Sequence, residues 1–104
     1  MKTGKRAAPP RRADFTRAFL RDWERLSCSG RLGLARMKEA MLLLIANDGP
    51  LPAQSMDHPL KGTLSAFREC HIGGDFLLMY RLEEGAPGLV VFVRAGTHAA
   101  LFES

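Results

Sequence analysis

At 104 residues, with a net charge of +4 and a pI near 9.6, the chain is long enough for one domain with a single modest core. Its hydrophobic fraction of 46% and charged fraction of 25% are those of a globular protein and exclude a disordered one. The longest strictly apolar run, residues 40–46, is too short to cross a bilayer, and no secretory signal is visible. We therefore expect a cytoplasmic protein without a membrane partner, whose basic charge suits a polyanion such as nucleic acid.

The first twelve residues are basic, lack acidic side chains and include two adjacent prolines. This composition predicts a flexible leader over residues 1–12, which is either simply solvated or serves as an electrostatic arm for RNA. The remainder, residues 13–104, is expected to form a single domain. A short edge strand is predicted at the junction, over residues 11–15.

Two amphipathic helices are predicted in the first half of the domain. Thr16 is a suitable N-cap, and apolar residues recur at helical spacing from there to about Ser27. A second apolar stripe predicts a helix over residues 31–47. Gly49 and Pro50 follow in the order that usually ends a helix, and we expect both stripes to supply core contacts.

The second half of the domain is predicted to be a hairpin-rich antiparallel sheet. Residues 51–64 are irregular and indicate a loop. Strands are then predicted over residues 65–72, 76–82 and 89–95, followed by a short helical turn over residues 98–102 that Thr97 would cap. The fold class is therefore α+β, with two N-terminal helices packed on a small antiparallel sheet.

The first hairpin of this sheet carries two candidate functional residues. If Gly73 and Gly74 form a two-residue turn, His71 pairs with Phe76 on one face and Asp75 lies close by at the rim. An imidazole beside an aromatic ring suits single-stranded RNA, which is recognised largely through stacking of its bases. This hairpin is therefore a candidate RNA-binding surface.

All three histidines, His58, His71 and His98, fall in the second half of the chain, in a loop, at a strand end and at the start of the last turn. Side chains at such positions often reach a shared cleft. Cleavage of RNA through its 2′-hydroxyl needs a base, an acid and positive charge at the phosphate. Histidine suits the first two roles because it titrates near neutrality.

Positive charge is available from four side chains in the same half of the chain: Lys61, Arg68, Arg81 and Arg94. The guanidinium fork of arginine matches the oxygens of a phosphate. Each arginine taken singly is most simply a surface charge, so the argument for a phosphate site depends on the whole set.

A metal site is the competing use of the same side chains. Its ligands would be His58, His71 and His98 with Asp75 or Cys70. No closely spaced histidine pair supports it, and Cys28 and Cys70 form no CxxC motif. We therefore expect no metal, no disulfide and no cofactor.

Four segments in order, DHPLKG at 57–62, FRECHI at 67–72, DFLLMYR at 75–81 and RAGTHAALF at 94–102, resemble the YafQ-type toxins of the RelE/ParE superfamily. The similarity is dense from about residue 50 to 102, looser over the helices and absent in the leader. Phe76 departs from the tryptophan frequent in the family pattern, and Ala95 interrupts the usual RTGTH run. The resemblance implies a RelE-like fold.

The resemblance also implies a toxin of a type II toxin–antitoxin pair, which enters the ribosomal A site and cuts mRNA there without a metal. A cognate antitoxin would bind and silence it. The family's catalytic positions correspond to His58, His71, Asp75 and His98, with Phe102 as a supporting aromatic. By that similarity His98 is the first choice for the acid, and His71 or Asp75 for the base.

Two further roles follow from the same similarity: His58 would orient the substrate or steady the phosphate, and Arg94 would clamp it. Spacing alone does not decide which histidine is acid and which is base. Two other functions stay open. One is a toxin of the same superfamily that poisons gyrase by binding, for which the histidines would be unnecessary. The other is a catalytically inactive module that binds RNA or the antitoxin.

Overall fold

A computed structural model of the protein describes residues 9–29 and 33–102. Within these ranges the chain is α+β, as predicted. The strands are β1 (Arg12–Phe15), β2 (His58–Pro59), β3 (Arg68–Gly73), β4 (Phe76–Glu83) and β5 (Leu89–Thr97). The helices are α1 (Arg17–Ser29), α2 (Gly33–Ala46) and α3 (His98–Phe102), with 3₁₀ turns at Ala53–Ser55 and Gly62–Leu64.

The strands form one sheet in the order β1-β5-β4-β3-β2. Neighbouring strands in this sheet are antiparallel, except that β1 runs parallel to β5. The expectation of a purely antiparallel sheet is therefore wrong at this edge. After β1 the chain forms the two helices and then strands β2 to β4. The last strand, β5, lies beside β1 and runs in the same direction. At the centre, residues 77–80 of β4 are all 6% exposed or less, which confirms a strand covered on both faces.

The helices α1 and α2 pack their apolar stripes against one face of the sheet. Phe19 and Met37 are buried there together with Tyr80 and Phe92 of the sheet. Thr16 caps α1 as predicted, because its hydroxyl oxygen accepts a hydrogen bond from the Phe19 backbone at 3.0 Å. None of the described helices combines the length and apolar character that a membrane span requires.

The end of α2 differs from the prediction. Asn47, not Gly49, takes the left-handed conformation just beyond the helix, with φ of 55°. Its backbone N–H donates to Leu43 O at 3.2 Å, which satisfies one of the last free carbonyls of the helix. Asparagine tolerates this conformation better than most residues, and this allows α2 to end at Ala46, three residues before the glycine.

The segment before β1 is attached to the domain. Arg11 donates from its backbone to Ile45 O and from its guanidinium to Leu44 O, both at 2.7 Å. Pro9 O accepts from the side chain of Asn47 at 3.0 Å. These contacts tie Pro9 and Arg11 of the predicted leader to the C-terminal end of α2, whereas residues 1–8 of that prediction lie outside the described residues.

The hairpin between β3 and β4 turns one residue later than predicted. Its turn is Gly74–Asp75, with Gly74 at a φ of 55° that glycine adopts without strain. The pairing shifts between His71 and Gly73, so His71 lies opposite Leu77 and Gly73 lies opposite Phe76. The predicted pairing of His71 with Phe76 is therefore wrong, and Phe76 packs against the helix-covered core.

The strand β3 also begins later than predicted, at Arg68 instead of Ser65. The Ser65 backbone donates to Gly62 O at 3.1 Å and the Phe67 backbone to Leu64 O at 2.9 Å. These local bonds use donors that a strand would direct to its neighbour. The loop before them contains the two-residue strand β2, which pairs antiparallel with β3.

Candidate active site

A groove of about 390 Å³ lies where β2, β3 and α3 meet. It is lined by His58, Pro59, Leu60, Lys61, Glu69, His98 and Phe102. Four of these residues were predicted as site residues: two histidines, the lysine and the phenylalanine. The groove therefore combines titratable rings, a cation and an aromatic surface, the groups that general acid–base cleavage of RNA requires.

His58 is held at the start of β2 by two acceptors. Its Nε2 lies 3.0 Å from Oε2 of Glu69, and its Nδ1 lies 3.0 Å from Pro59 O. A carbonyl oxygen and a carboxylate oxygen both accept hydrogen bonds. An imidazole ring with a hydrogen on each nitrogen can therefore donate to both of these acceptors.

Glu69 is the functional candidate that the sequence analysis missed. It is 8% exposed, and its Oε1 has no hydrogen-bond partner among the described residues. A buried carboxylate oxygen that is free to accept is costly and is typical of sites that bind or react. The available signal was its position two residues before His71, because alternate residues of a strand lie on the same face.

His71 lies on β3 beside this pair and connects the site to a second groove. Its ring centroid is 6.4 Å from that of His58. The second groove, of about 580 Å³, runs between β3, α2 and the 3₁₀ turn at Ala53–Ser55. His71 is the predicted site residue that lines it. The structure thus places His58 and His71 close together, while His98 lines the first groove and His71 lines the second.

His98 begins α3 and stands beside an aromatic ring. Its ring centroid lies 4.9 Å from that of Phe102, one helical turn later, with 45° between the planes. Thr97 caps this turn as predicted, since its hydroxyl accepts from the Ala100 backbone at 3.1 Å. The His98 backbone donates to Asp75 O at 3.2 Å, which ties the exposed β3–β4 turn to the start of α3.

The other predicted RNA-binding residues are engaged elsewhere, as far as the described residues show. Arg68 pairs with Asp57, Arg81 with Glu83 and Arg94 with Asp22. The hydrogen bond to Asp57 raises the pKa of Arg68, and the bond to Asp22 raises that of Arg94, so both remain cations. Together with the core position of Phe76, these pairings leave Lys61 and Phe102 as the members of that set that line the groove.

The cluster best placed to hold a metal differs from the set considered in the sequence. One ligand atom each from His58, Glu69 and His71 lies within 4.8 Å of the other two. Imidazole and carboxylate ligands suit zinc. Because bonds to zinc are about 2 Å long, ligand atoms around a bound zinc lie closer to one another than 4.8 Å. Cys70 is buried among the core residues under the helices, and burial raises the pKa of its thiol to about 12.

The sequence matches a family described as a bacterial toxin of type II toxin–antitoxin systems, YafQ, over residues 11–103. It is 46% identical over 67 residues to the mRNA interferase toxin YafQ of Escherichia coli K12, which is 64% of this chain and 70% of that protein. The fold matches the E. coli DinJ–YafQ complex at a TM-score of 0.79 and 36% identity, covering 88% of this chain and 98% of the other.

A metal-bound toxin from Helicobacter pylori matches with a TM-score of 0.76 and 34% identity, again over 88% of this chain and 98% of the other. The resemblance read from the four sequence segments is thus confirmed by family, relatives and fold. The chain belongs to the YafQ family of bacterial toxins of type II toxin–antitoxin systems.

Proposed function

We propose that this chain is an endoribonuclease that cuts mRNA in the ribosomal A site, and that a cognate antitoxin binds and silences it. The observation that carries the proposal is the groove in which His58, Glu69 and His98 lie with Lys61 and Phe102. The E. coli relative named an mRNA interferase toxin, and the structure of a DinJ–YafQ complex, support the same function and partner. The reaction would take place in the cytoplasm.

The proposed reaction is a transesterification within the RNA. A base takes the proton of the 2′-hydroxyl, the 2′-oxygen attacks the phosphorus, and the bond to the 5′-oxygen breaks. An acid gives its proton to that leaving oxygen, so the products are a cyclic phosphate and a 5′-hydroxyl. Charge that develops on the phosphate oxygens is stabilised by nearby cations.

His98 is proposed as the acid, because it stands in the groove with its ring against Phe102. Phe102 offers a face on which a splayed base can stack. The base is proposed to come from His71 or Asp75, and the buried Oε1 of Glu69 adds a third candidate. Lys61 and the charged form of His58 are proposed to stabilise the phosphate.

The test is cleavage of a defined mRNA on programmed ribosomes, followed by primer extension, with wild type beside His98→Ala. We expect cuts at the A-site codon with wild type, none with His98→Ala, and none with wild type when ribosomes are omitted. A wild-type protein that binds ribosomes and leaves the mRNA intact would overturn the proposal. Inhibition of gyrase supercoiling with intact mRNA would favour the binding toxin instead.

The reaction is further proposed to need no metal cofactor. The H. pylori relative has been solved with metal bound, so this part requires its own test. A chelator selective for transition metals, added at constant Mg²⁺ to keep the ribosome intact, should leave the cleavage rate unchanged. A rate that falls with chelator and returns with added Zn²⁺ would contradict metal independence.

A further inference from the structure

Three polar side chains form a cluster that does not line the groove and that the acid–base chemistry proposed above does not use. Asp57 accepts from the Arg68 guanidinium, with Nη2 at 3.0 Å and Nε at 3.4 Å. The Tyr80 hydroxyl also donates to the Asp57 carboxylate. We call Asp57, Arg68 and Tyr80 the Asp57 cluster; it joins β3, β4 and the loop before β2.

Two members of the Asp57 cluster are chain neighbours of groove residues. Asp57 directly precedes His58, and Arg68 directly precedes Glu69. Successive residues of a strand lie on opposite faces, so Arg68 and Tyr80, which pair across β3 and β4, are on the face opposite Glu69. Holding the Asp57 cluster in place on one face of the sheet therefore also orients the side chains of His58 and Glu69 on the other.

The strand β2 needs such an anchor because the core does not hold it. Both of its residues, His58 and Pro59, are exposed, and proline has no N–H to give to the ladder. Neither flanking 3₁₀ turn contains a buried residue. Tyr80, in contrast, is 1% exposed and belongs to the core, so its hydroxyl ties the loop before β2 to the central strand β4.

The charge state of the cluster also suits a fixed support. Burial, reinforced by the bond to Asp57, raises the pKa of Tyr80, so its hydroxyl stays protonated and donating. The same carboxylate raises the pKa of Arg68, which stays cationic. Tyr80 and Arg68 therefore do not change charge in the range near neutrality where histidines titrate.

We propose that Asp57, Arg68 and Tyr80 are positioning residues, which hold His58 and Glu69 in the orientation that RNA cleavage requires and do not contact the RNA themselves. This inference rests on the proposed function and reassigns Arg68 from RNA binding to support of the site. A misplacement of about 1 Å in a reacting group costs on the order of 100-fold in rate, so loss of the anchor should be visible in the chemistry.

The primary test is Tyr80→Phe, which removes one hydroxyl and keeps the ring. The matched control is Thr16→Val, which removes a hydroxyl that caps α1 and donates to Val93 O, away from the groove. We expect Tyr80→Phe to lower the cleavage rate at saturating ribosomes by about tenfold or more, with the half-saturating ribosome concentration unchanged. Thr16→Val should lower the melting temperature. Its cleavage rate, measured at a temperature well below the melting temperature, should equal that of the wild type.

Coupling to His58 separates positioning from general loss of stability. In a His58→Ala background, Tyr80→Phe should cause a smaller further loss of rate than in the wild type, because one of the two residues it positions is gone. Arg68→Lys, which keeps the charge and loses the bidentate fork, should reproduce the effect if Tyr80→Phe folds poorly. An unchanged rate in both variants, or a full additional loss in the His58→Ala background, would overturn the proposal.

A readout without catalysis keeps this inference distinct from the proposed function. In NMR spectra of the free protein, the imidazole signals of His58 should shift in Tyr80→Phe while those of His98 stay in place. Should the wild type cut no mRNA, the proposed function fails and the NMR comparison still decides whether the cluster orients His58. Unmoved His58 signals would overturn positioning, whatever the activity.

Discussion

The Nε2 atom of His58 lies 3.0 Å from Oε2 of Glu69, and the two residues are also direct partners in the pairing of β2 with β3. The same carboxylate has a buried second oxygen with no partner among the described residues. Glu69 therefore holds His58 with one oxygen and keeps the second as an acceptor in a residue that lines the groove. This makes it the first residue to test among the candidate bases.

Glu69→Gln keeps the size of the side chain and removes its negative charge. We expect the rate of mRNA cleavage on ribosomes to fall by about 100-fold, the lower range of general acid–base contributions. Glu24→Gln, at an exposed position of α1, is the control and should cleave as wild type does. Wild-type cleavage by Glu69→Gln, beside an inactive Asp75→Asn, would identify Asp75 as the essential carboxylate instead.

The two phenylalanines of the predicted site should separate into a structural and a functional residue. Phe76 packs against the core, so Phe76→Leu should lower the free energy of unfolding by roughly 1 kcal/mol, since shape changes in a packed core usually cost about that much. Phe102 lines the groove beside His98, so Phe102→Leu should lower the cleavage rate with little change in stability. Urea unfolding and ribosomal cleavage, measured on both variants, check this division, and the reverse pattern would contradict it.

Asp22 joins α1 to β5 through three hydrogen bonds. Its carboxylate, 1% exposed, accepts from Arg94 Nε at 2.7 Å, from Arg94 Nη2 at 3.1 Å and from the Ala95 backbone at 3.0 Å. Asp22→Ala leaves a buried N–H and a guanidinium without their acceptor, and should lower the free energy of unfolding by about 3 kcal/mol. Urea denaturation measures this loss.

Two further variants check the origin of that loss. Arg25 contacts the same carboxylate weakly, at 3.4 Å, and is 64% exposed, so Arg25→Ala should change stability by less than about 1 kcal/mol. Arg94→Ala should add little in the Asp22→Ala background, because its partner is already lost. Additive losses would show that Arg94 stabilises the fold independently of Asp22.

Local patterns predicted the elements of this fold well. The apolar stripes of α1 and α2, the caps Thr16 and Thr97, and the buried run of β4 depend on interactions within a few residues. Such signals are present in the sequence itself. The parallel pairing of β1 with β5 is different, because it joins residues more than 70 positions apart.

Register and side-chain partners could not be predicted to the same depth. Moving the turn from Gly73–Gly74 to Gly74–Asp75 turned Phe76 towards the core, since a shift of one residue exchanges the two faces of a strand. The partners of Arg68 and Arg94, Asp57 and Asp22, are 11 and 72 residues away along the chain. Glu69 was missed for a related reason: its place beside His58 depends on a two-residue strand within an irregular loop.

The buried thiol of Cys70 predicts a loss of stability at alkaline pH. Burial raises its pKa from 9.0 to about 12, so the folded protein keeps a proton that the unfolded chain releases near pH 9. This contribution is fully present below pH 9 and is lost as the pH rises towards 12, at up to about 1.4 kcal/mol per pH unit.

We expect the free energy of unfolding, from urea titrations at pH 8 to 11, to decline less steeply in Cys70→Ala than in wild type. Cys28→Ala, at an exposed position, should follow the wild-type slope, and equal slopes in the two variants would rule out Cys70 as the source.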